Sequence, residues 1–132
     1  MRSHMRASPR DALEGARLIG PKVRFADRKW PLPWPKMEIE QKQSIAYRMA
    51  LVAAGQADAT ILFGFKHYWD IAAGAAIVAA AGGRATDPWN QPLAFNEREP
   101  HAPGVVASGA ALHALLIERT SKLPDPRTKA SS

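Results

Sequence analysis

The sequence contains no cysteine, which excludes both a disulfide framework and a thiolate metal site. It has no apolar run long enough to cross a membrane and no segment that resembles a signal peptide. Walker and dinucleotide-binding glycine loops are absent, and no nucleophile elbow surrounds Ser108. We therefore expect a soluble, cytoplasmic protein without a membrane partner, and we exclude nucleotide-loop enzymes and serine hydrolases of the elbow type.

The basic residues are dispersed along the chain, although the net charge is +6 and the pI is about 10.1. Many of them lie near the two ends, and there is no arginine-rich recognition helix and no aromatic RNA-binding box. A small phosphorylated substrate would suit the same positive field. The charge therefore argues against nucleic acid as the main partner. The four histidines show no paired spacing typical of a metal site; they are His4, His67, His101 and His113.

The chain has 132 residues, of which 46% are hydrophobic, and this is enough for one domain with a core but too little for two. Ser3-His4-Met5 resembles the restriction-site remnant of a cloning vector, so we expect residues 1–4 to be vector-derived. Residues 5–120 are then the domain, and residues 121–132 are expected to form a flexible polar tail.

The first half of the chain carries two helix signals. Ser8-Pro9 followed by an early acid predicts a helix that runs through Leu18. Residues 22–25 are a possible short strand. The alternating tryptophans and prolines of Trp30–Pro35 predict an irregular loop, which either folds onto the surface or forms the rim of a pocket. Ser44 can cap a second helix that extends to about Ala54.

The second half alternates between strands and helices. Residues 58–63 predict a buried strand, and the alanine-rich segment 71–83 predicts a helix that is enclosed on nearly all sides. Residues 84–86 and 104–108 predict two more strands, and residues 110–119 predict a closing helix. This order indicates an α/β domain with a mixed or mostly parallel sheet flanked by helices.

Asp70 is the first candidate for chemistry, because it stands at the beginning of the apolar helix. A carboxylate in that position can accept hydrogen bonds from free backbone N–H groups and complement the helix dipole. The same carboxylate can also hold a hard divalent cation such as magnesium. The two roles are compatible, because capping leaves lone pairs free.

Five blocks of sequence, taken in order, resemble the C-terminal signature of the inositol monophosphatase family. The resemblance extends from about residue 43 to residue 120 and is weaker before that. The W-D motif alone would be weak evidence, but several blocks at suitable spacing make a specific pattern. The blocks are Gly55-Gln56-Ala57-Asp58-Ala59, Trp69-Asp70-Ile71-Ala72-Ala73-Gly74, Ala81-Gly82-Gly83, the turn Asp87 through Leu93, and Val105-Val106-Ala107-Ser108.

The resemblance implies a magnesium-dependent phosphatase with a fold similar to that of sugar phosphatases. It implies that Asp70 is the metal ligand contributed by this half and that Gln43 and Ser44 contact the substrate. Gln43 replaces the family's usual glycine, which puts a close backbone approach to the substrate in doubt. Lys66 lies near the motif and would either meet a second phosphate or a ribose, or belong to a solvated loop. Leu62 and Phe63 replace the acid of inositol-preferring members, so a preference for inositol is not supported.

The family's other metal ligands belong to its N-terminal half, and this chain lacks the corresponding D-P-[IL]-D motif. Hydrolysis with two or three metal ions needs several converging carboxylates. The resemblance therefore implies a chain that is incomplete by itself and has the missing half or another copy of itself as partner. Inositol monophosphate and an adenosine 3',5'-bisphosphate-type nucleotide both remain open as substrates. The alternative is a non-catalytic α/β module that associates with itself or with a partner.

Overall fold

The computed structural model describes residues 5–26, 30–42, 44–93 and 101–124, with only the backbone of residues 64–70 and 101–103. The described part of the chain forms five strands and four helices. In chain order these are β1 Arg17–Ile19, α1 Lys22–Ala26, β2 Glu38–Glu40, α2 Ile45–Ala53, β3 Ala59–His67, α3 Tyr68–Ala80, β4 Gly83–Thr86, β5 His101–Gly109 and α4 Ala110–Thr120.

The five strands form one mixed sheet in the order β2-β1-β3-β5-β4. β1 lies parallel to both β2 and β3, whereas β5 lies antiparallel to both β3 and β4. The prediction of a mixed sheet flanked by helices is confirmed. The edge strand β2 exposes Glu38 and Glu40 on either side of Ile39, and such charges on an edge discourage pairing with another sheet.

Neighbouring residues on each central strand point to opposite faces of the sheet, as the two-residue period of a strand requires. One face presents Ile19, Leu62 and Val105 to a core shared with α2 and α3. The other face presents Leu18, Ile61 and Val106 to a core shared with α4 and Phe25. The domain therefore has three layers, with α2 and α3 on one side of the sheet and α4 on the other.

The helix predicted from Ser8 to Leu18 is wrong. Gly15 has a φ of +79°, which breaks a helix there, and Arg17–Ile19 forms β1. Ser8 caps no helix; instead it is buried and its hydroxyl donates a hydrogen bond of 2.6 Å to Asp58. β1 pairs with β2 on one side and with β3 on the other, so partners that are distant in the chain satisfy its backbone groups.

The strand predicted at residues 22–25 is also wrong, because Lys22–Ala26 forms the short helix α1. Pro21 precedes its first residue, and the Pro21 carbonyl oxygen accepts a hydrogen bond of 3.1 Å from the Arg24 N–H. Phe25 is the buried residue of this helix. Its ring contacts Trp30, Trp34 and Phe63, so an aromatic cluster determines the conformation of this segment.

The predicted irregular loop at Trp30–Pro35 is confirmed, and its tryptophans pack inward. Trp30 is buried, and its indole N–H donates to the Arg24 carbonyl oxygen. The Trp34 ring lies edge-on to the Trp30 ring at 5.1 Å between centroids. The loop therefore closes over the aromatic cluster at one end of the second core.

The predicted helices of the second half and α2 are present, although α3 begins at Tyr68 and ends at Ala80, three residues earlier at each end than predicted. β4 and β5 include the predicted strands, and β3 includes all of the predicted strand except Asp58. The expectation that α3 is enclosed on nearly all sides is wrong for this chain. Ile71, Gly74 and Val78 are buried, whereas one face is exposed and includes Ile77 at 42% exposure. Helices in the described part of the chain all fall short of the length and apolar character that a membrane span requires.

A buried histidine links α4 to β4. His113 is 2% exposed, and its Nε2 lies 2.9 Å from the Thr86 hydroxyl oxygen. Burial, together with the nearby positive charge of Arg84, lowers the pKa of His113 to about 4. The unfolded chain binds a proton at this residue below about pH 6.5, and the folded chain does not.

This difference predicts a loss of stability in mild acid. Because the folded pKa is lowered, the destabilisation begins below about pH 6.5 and levels off below about pH 4. We expect the free energy of unfolding to fall by about 2 kcal/mol more in the wild type than in His113→Gln between pH 7 and pH 4.5. Urea denaturation at both pH values measures this. Equal pH dependence in the two proteins would refute the assignment.

Candidate functional site

The candidate site lies at one edge of the sheet, where three parallel strands end. β1, β2 and β3 are mutually parallel in direction, so their carboxyl ends share this edge. α2 follows β2, and α3 follows β3 directly. The first residues of both helices therefore lie at the same edge, which is where ligands bind in many open α/β sheets.

Ser44 caps α2, as predicted. Its side-chain oxygen accepts a hydrogen bond from the Tyr47 N–H at 3.2 Å. Ser44 is exposed. A hydroxyl that accepts one bond keeps its own hydrogen for donation. Ser44 can therefore cap the helix and still donate to a ligand at the sheet edge.

Asp70 is the third residue of α3, so it belongs to the first turn of the helix and is not the residue before it. Lys66 lies near the end of β3 and pairs in register with Ala102. The backbone thus brings Lys66 and Asp70 to the edge that also carries Ser44. Gln43, the remaining predicted substrate contact, lies outside the described residues.

A magnesium ion prefers several oxygen ligands. The Asp70 carboxylate has the chemistry of one such ligand. Its position in the first turn of α3 also suits a negative charge, because the N-terminal end of a helix dipole is positive. Among the residues whose side chains are described, no group of three or more His, Asp or Glu could hold a metal ion. Asp70 is not among those residues, because only its backbone is described.

A cavity of about 300 Å³ opens at the same edge of the sheet. Its walls come from the ends of β1 and β2, from the middle of β3 and from α2. Lys42 is the exposed cation of the cavity wall, and Arg48 is its buried cation. The lining residues are Gly20, Pro21, Gln41, Lys42, Arg48, Ile61, Leu62 and Phe63.

Arg48 is 8% exposed and joins three parts of the edge. Its Nε donates to the Thr60 hydroxyl oxygen at 2.9 Å, and its Nη2 donates to the carbonyl oxygens of Ile19 and Ile61 at 3.1 and 2.7 Å. Its Nη1 lies 3.4 Å from the Lys42 carbonyl oxygen. Burial lowers the pKa of Arg48.

Sequence reasoning missed Arg48, although the sequence carries a signal for it. Arg48 is three residues after Ile45 and four before Val52, so a cation stands within the apolar stripe of α2. A charge in such a stripe needs buried polar partners. Those partners come from β1 and β3 and could not be identified without the fold.

Comparisons with known proteins give the family and the fold. The sequence profile described as the inositol monophosphatase family matches residues 21–125. No curated protein sequence matches the chain at a significant level.

Solved structures show the same fold. The extragenic suppressor protein suhB from Bartonella henselae is 25% identical with a TM-score of 0.66, and the match covers 90% of this chain and 47% of that one. The Mycobacterium tuberculosis SuhB is 26% identical with a TM-score of 0.61, covering 86% of this chain and 44% of that one. The Thermotoga maritima IMPase is 24% identical with a TM-score of 0.69, and the match covers 91% of this chain and 46% of that one. At this identity the similarity supports the fold alone. The chain spans about half the length of these structures, and since the family profile matches most of its residues, it belongs to the inositol monophosphatase family.

Proposed function

We propose that this chain is the C-terminal half of a magnesium-dependent phosphatase that hydrolyses a phosphate monoester. Asp70 is the metal ligand of this half, and Ser44, Gln43 and Lys66 contact the substrate. The observation that carries the proposal is the W-D motif at the beginning of α3, on the same sheet edge as the Ser44 cap of α2.

The residues of this chain have binding and orienting roles in the proposal. Ser44 donates its free hydroxyl hydrogen to a substrate oxygen, and Lys66 supplies positive charge for an anionic group. Asp70 supplies one hard oxygen ligand. A bound magnesium ion would supply Lewis-acid stabilisation of the phosphate oxygens. The remaining carboxylates belong to a partner half.

The exposed face of α3 supports the need for such a half. Ala73, Ala76, Ile77 and Ala80 recur at helical spacing on this face and carry no charge. An exposed apolar patch of this kind marks an interaction surface. Because the chain spans about half of the related structures, we infer that an N-terminal α/β half covers this face.

The same face also favours the second candidate function, a non-catalytic module that associates with itself. Two copies that pack α3 against α3 would bury the same apolar side chains. Such a dimer would contribute two copies of Asp70 and no ligands from an N-terminal half. Metal-dependent turnover therefore separates the two candidates.

The test measures phosphate release with magnesium and with either inositol monophosphate or adenosine 3',5'-bisphosphate. The chain is tested alone and together with the separately produced N-terminal half of the Bartonella henselae suhB protein. We expect no release by the chain alone and release by the associated halves. Asp70→Asn should reduce that rate at least about 100-fold, because the loss of a charged ligand weakens the binding of the magnesium ion and with it the stabilisation that the ion supplies.

Asp11→Asn is the matched control, because Asp11 is an exposed carboxylate in the described part of the chain and lies outside the sheet edge. It should leave the rate unchanged. Association is verified by light scattering for every variant. Equal rates for Asp70→Asn and Asp11→Asn in associated halves would refute the role of Asp70. Turnover by the chain alone would refute its incompleteness.

A further inference from the structure

Arg48 joins the first part of α2 to the ends of two parallel strands. The last pair in register between β1 and β3 is Ile19 with Thr60. The Arg48 Nη2 donates to the carbonyl oxygen of Ile19 at 3.1 Å and to that of Ile61, the next residue of β3, at 2.7 Å. The guanidinium group therefore continues the hydrogen bonding between the two strands at the point where their pairing ends.

The Thr60 hydroxyl fixes the orientation of this guanidinium group. Thr60 is fully buried. Its hydroxyl donates its hydrogen to the Ile19 carbonyl oxygen at 2.9 Å and accepts a hydrogen bond of 2.9 Å from the Arg48 Nε. Because the guanidinium group is planar and its donors have a fixed fork geometry, the direction of Nε sets the directions of Nη1 and Nη2. The Arg48 side chain therefore has one defined position between the two strands.

The backbone of Arg48 closes the helical turn that Ser44 caps. The Arg48 N–H donates to the Ser44 carbonyl oxygen at 3.0 Å. The Arg48 Nη1 also lies 3.4 Å from the carbonyl oxygen of Lys42, two residues before Ser44. The Ser44 side chain itself is exposed and accepts its capping hydrogen bond from the Tyr47 N–H. Arg48 thus contacts the backbone at Ser44 and before it, while its side chain is bonded to the sheet.

Stability alone does not account for an arginine in this position. Arg48 is 8% exposed, and its four side-chain hydrogen bonds go to neutral oxygens. The ion pairs in the described part of the chain join other residues. Burying a charge costs desolvation energy, and apolar residues of similar volume are often at least as stable in such places. A hydrogen-bonded buried group can instead specify a single arrangement of the elements around it.

We propose that Arg48 is a positioning residue of the candidate site, which holds Ser44 at a fixed place relative to β1 and β3. β3 continues directly into α3, so the same strand carries the backbone of Lys66 and leads to Asp70. Arg48 therefore relates the Ser44 hydroxyl to the strand that precedes the proposed metal ligand. The effect on a substrate rests on the proposed function, whereas the placement of Ser44 does not.

The first experiment measures amide hydrogen exchange at both ends of α2 in the chain alone. The Tyr47 amide reports on the cap, because it donates to the Ser44 side chain. The Ala54 amide reports on the other end, where it donates to the Ala50 carbonyl oxygen. We expect Arg48→Met to reduce the protection of Tyr47 at least about tenfold more than that of Ala54, because the first turn then opens without breaking contacts to the sheet.

Val52→Ala is the matched control for this experiment. Val52 is fully buried on the same helix and belongs to the core between α2, α3 and the sheet. The substitution weakens the packing of α2 and leaves the hydrogen bonds of Arg48 in place. It should change the protection of Tyr47 and Ala54 by similar factors. Similar factors at the two ends in Arg48→Met as well would overturn the proposal.

Thr60→Val keeps the test decisive if Arg48→Met unfolds, which circular dichroism checks. It removes the acceptor of the Arg48 Nε and keeps a side chain of similar shape. We expect it to reduce the protection of Tyr47 about threefold more than that of Ala54, because one hydrogen bond of the guanidinium group is lost. Equal changes at the two ends in this variant would contradict the role of the guanidinium orientation.

The second experiment measures the kinetics of the associated halves with magnesium, using inositol monophosphate and adenosine 3',5'-bisphosphate. We expect Arg48→Met to raise KM at least about fivefold and to leave kcat within about twofold, because it weakens a contact that the ground state and the transition state share. Val52→Ala should leave KM unchanged. In a Ser44→Ala background, Arg48→Met should have almost no further effect on KM, since Arg48 acts through Ser44. Additive effects of the two substitutions would overturn that action.

The two experiments distinguish failure of the positioning role from failure of the proposed function. Absence of turnover by the associated wild-type halves refutes the proposed function, and the exchange result for Tyr47 still tests the placement of Ser44. Turnover together with unchanged Tyr47 protection in Arg48→Met refutes the positioning role and leaves the proposed function standing.

Discussion

Asp58→Ala is expected to lower the free energy of unfolding by about 3 kcal/mol, the size of effect seen when one partner of a buried charged network is removed. Asp58 is 2% exposed. Its carboxylate accepts hydrogen bonds from the Ser8 hydroxyl at 2.6 Å and from the Arg17 N–H at 2.7 Å. Arg10 and Arg17 lie within 3.1 and 3.7 Å of the same carboxylate. Asp58, which directly precedes β3, thus binds both the N-terminal segment and the first residue of β1.

The pKa of Asp58 gives this prediction a pH dependence. Burial by itself would raise the pKa, but the hydrogen bonds from Arg17 and Ser8 and the charges of Arg17 and Arg10 outweigh it and lower the pKa. Because the folded pKa is lowered, the contribution is complete above the unfolded value of about 3.9 and disappears as the pH falls through the folded value.

Urea denaturation at pH 7 and at pH 3 measures both effects. The difference between wild type and Asp58→Ala should be largest at pH 7 and smaller at pH 3. Asp58→Asn should lose most of the same stability, because it keeps the shape but not the charge. Asp11→Ala is the control, and it should stay within about 0.5 kcal/mol of the wild type because Asp11 is exposed. A similarly small change in Asp58→Ala would contradict the role of the network.

Gly74→Val is expected to lower the free energy of unfolding by about 3 kcal/mol, at the upper end of what overpacking a core costs. A Cβ atom at Gly74 would lie 2.7 Å from both Cβ and Cγ of Met49, closer than real Cβ atoms approach such neighbours. Met49 is fully buried in the core between α2 and the sheet. Valine would therefore force α2 and α3 apart.

Two variants separate this clash from helix propensity. Gly74→Ala gains about 1 kcal/mol in propensity, so its net loss should be smaller, at about 1 kcal/mol once overpacking is included. Ala73→Val places the same valine on the exposed face of α3 and should cost at most about 0.7 kcal/mol. Equal stability of Gly74→Val and Ala73→Val in urea denaturation would show that the helices do not require glycine at this contact.

The Gly74 contact also matters for the site. α2 begins at the Ser44 cap and α3 begins two residues before Asp70. The distance between these helices therefore sets the distance between the proposed substrate contact and the proposed metal ligand. The position of Ser44 relative to Asp70 follows from close packing in the middle of both helices.

The candidate site was only partly predictable from the sequence. Ser44 was identifiable because a hydroxyl before an amphipathic segment is a local cap signal, and it does cap α2. Asp70 was identifiable through the W-D motif, and its role as a metal ligand stays a prediction. Arg48 was missed, because its acceptors on Ile19 and Ile61 are distant in sequence. Residue spacing alone cannot show which carbonyl oxygens will surround a buried cation.

The sequence by itself determined the elements whose signals are local and strong. The cap and apolar stripe of α2, the β-branched run of β3 and the alanine-rich α3 each specify their own conformation within a few residues. The motif blocks between residues 55 and 108 determined the family. Only the tertiary structure decided the conformation of Arg17–Ile19 and Lys22–Ala26. A three-residue strand gains its stability from hydrogen bonds to partners at Glu38–Glu40 and Ala59–Thr60, and α1 gains it from the packing of Phe25 in the aromatic cluster. Those contacts are distant in the chain, so local propensity does not encode them.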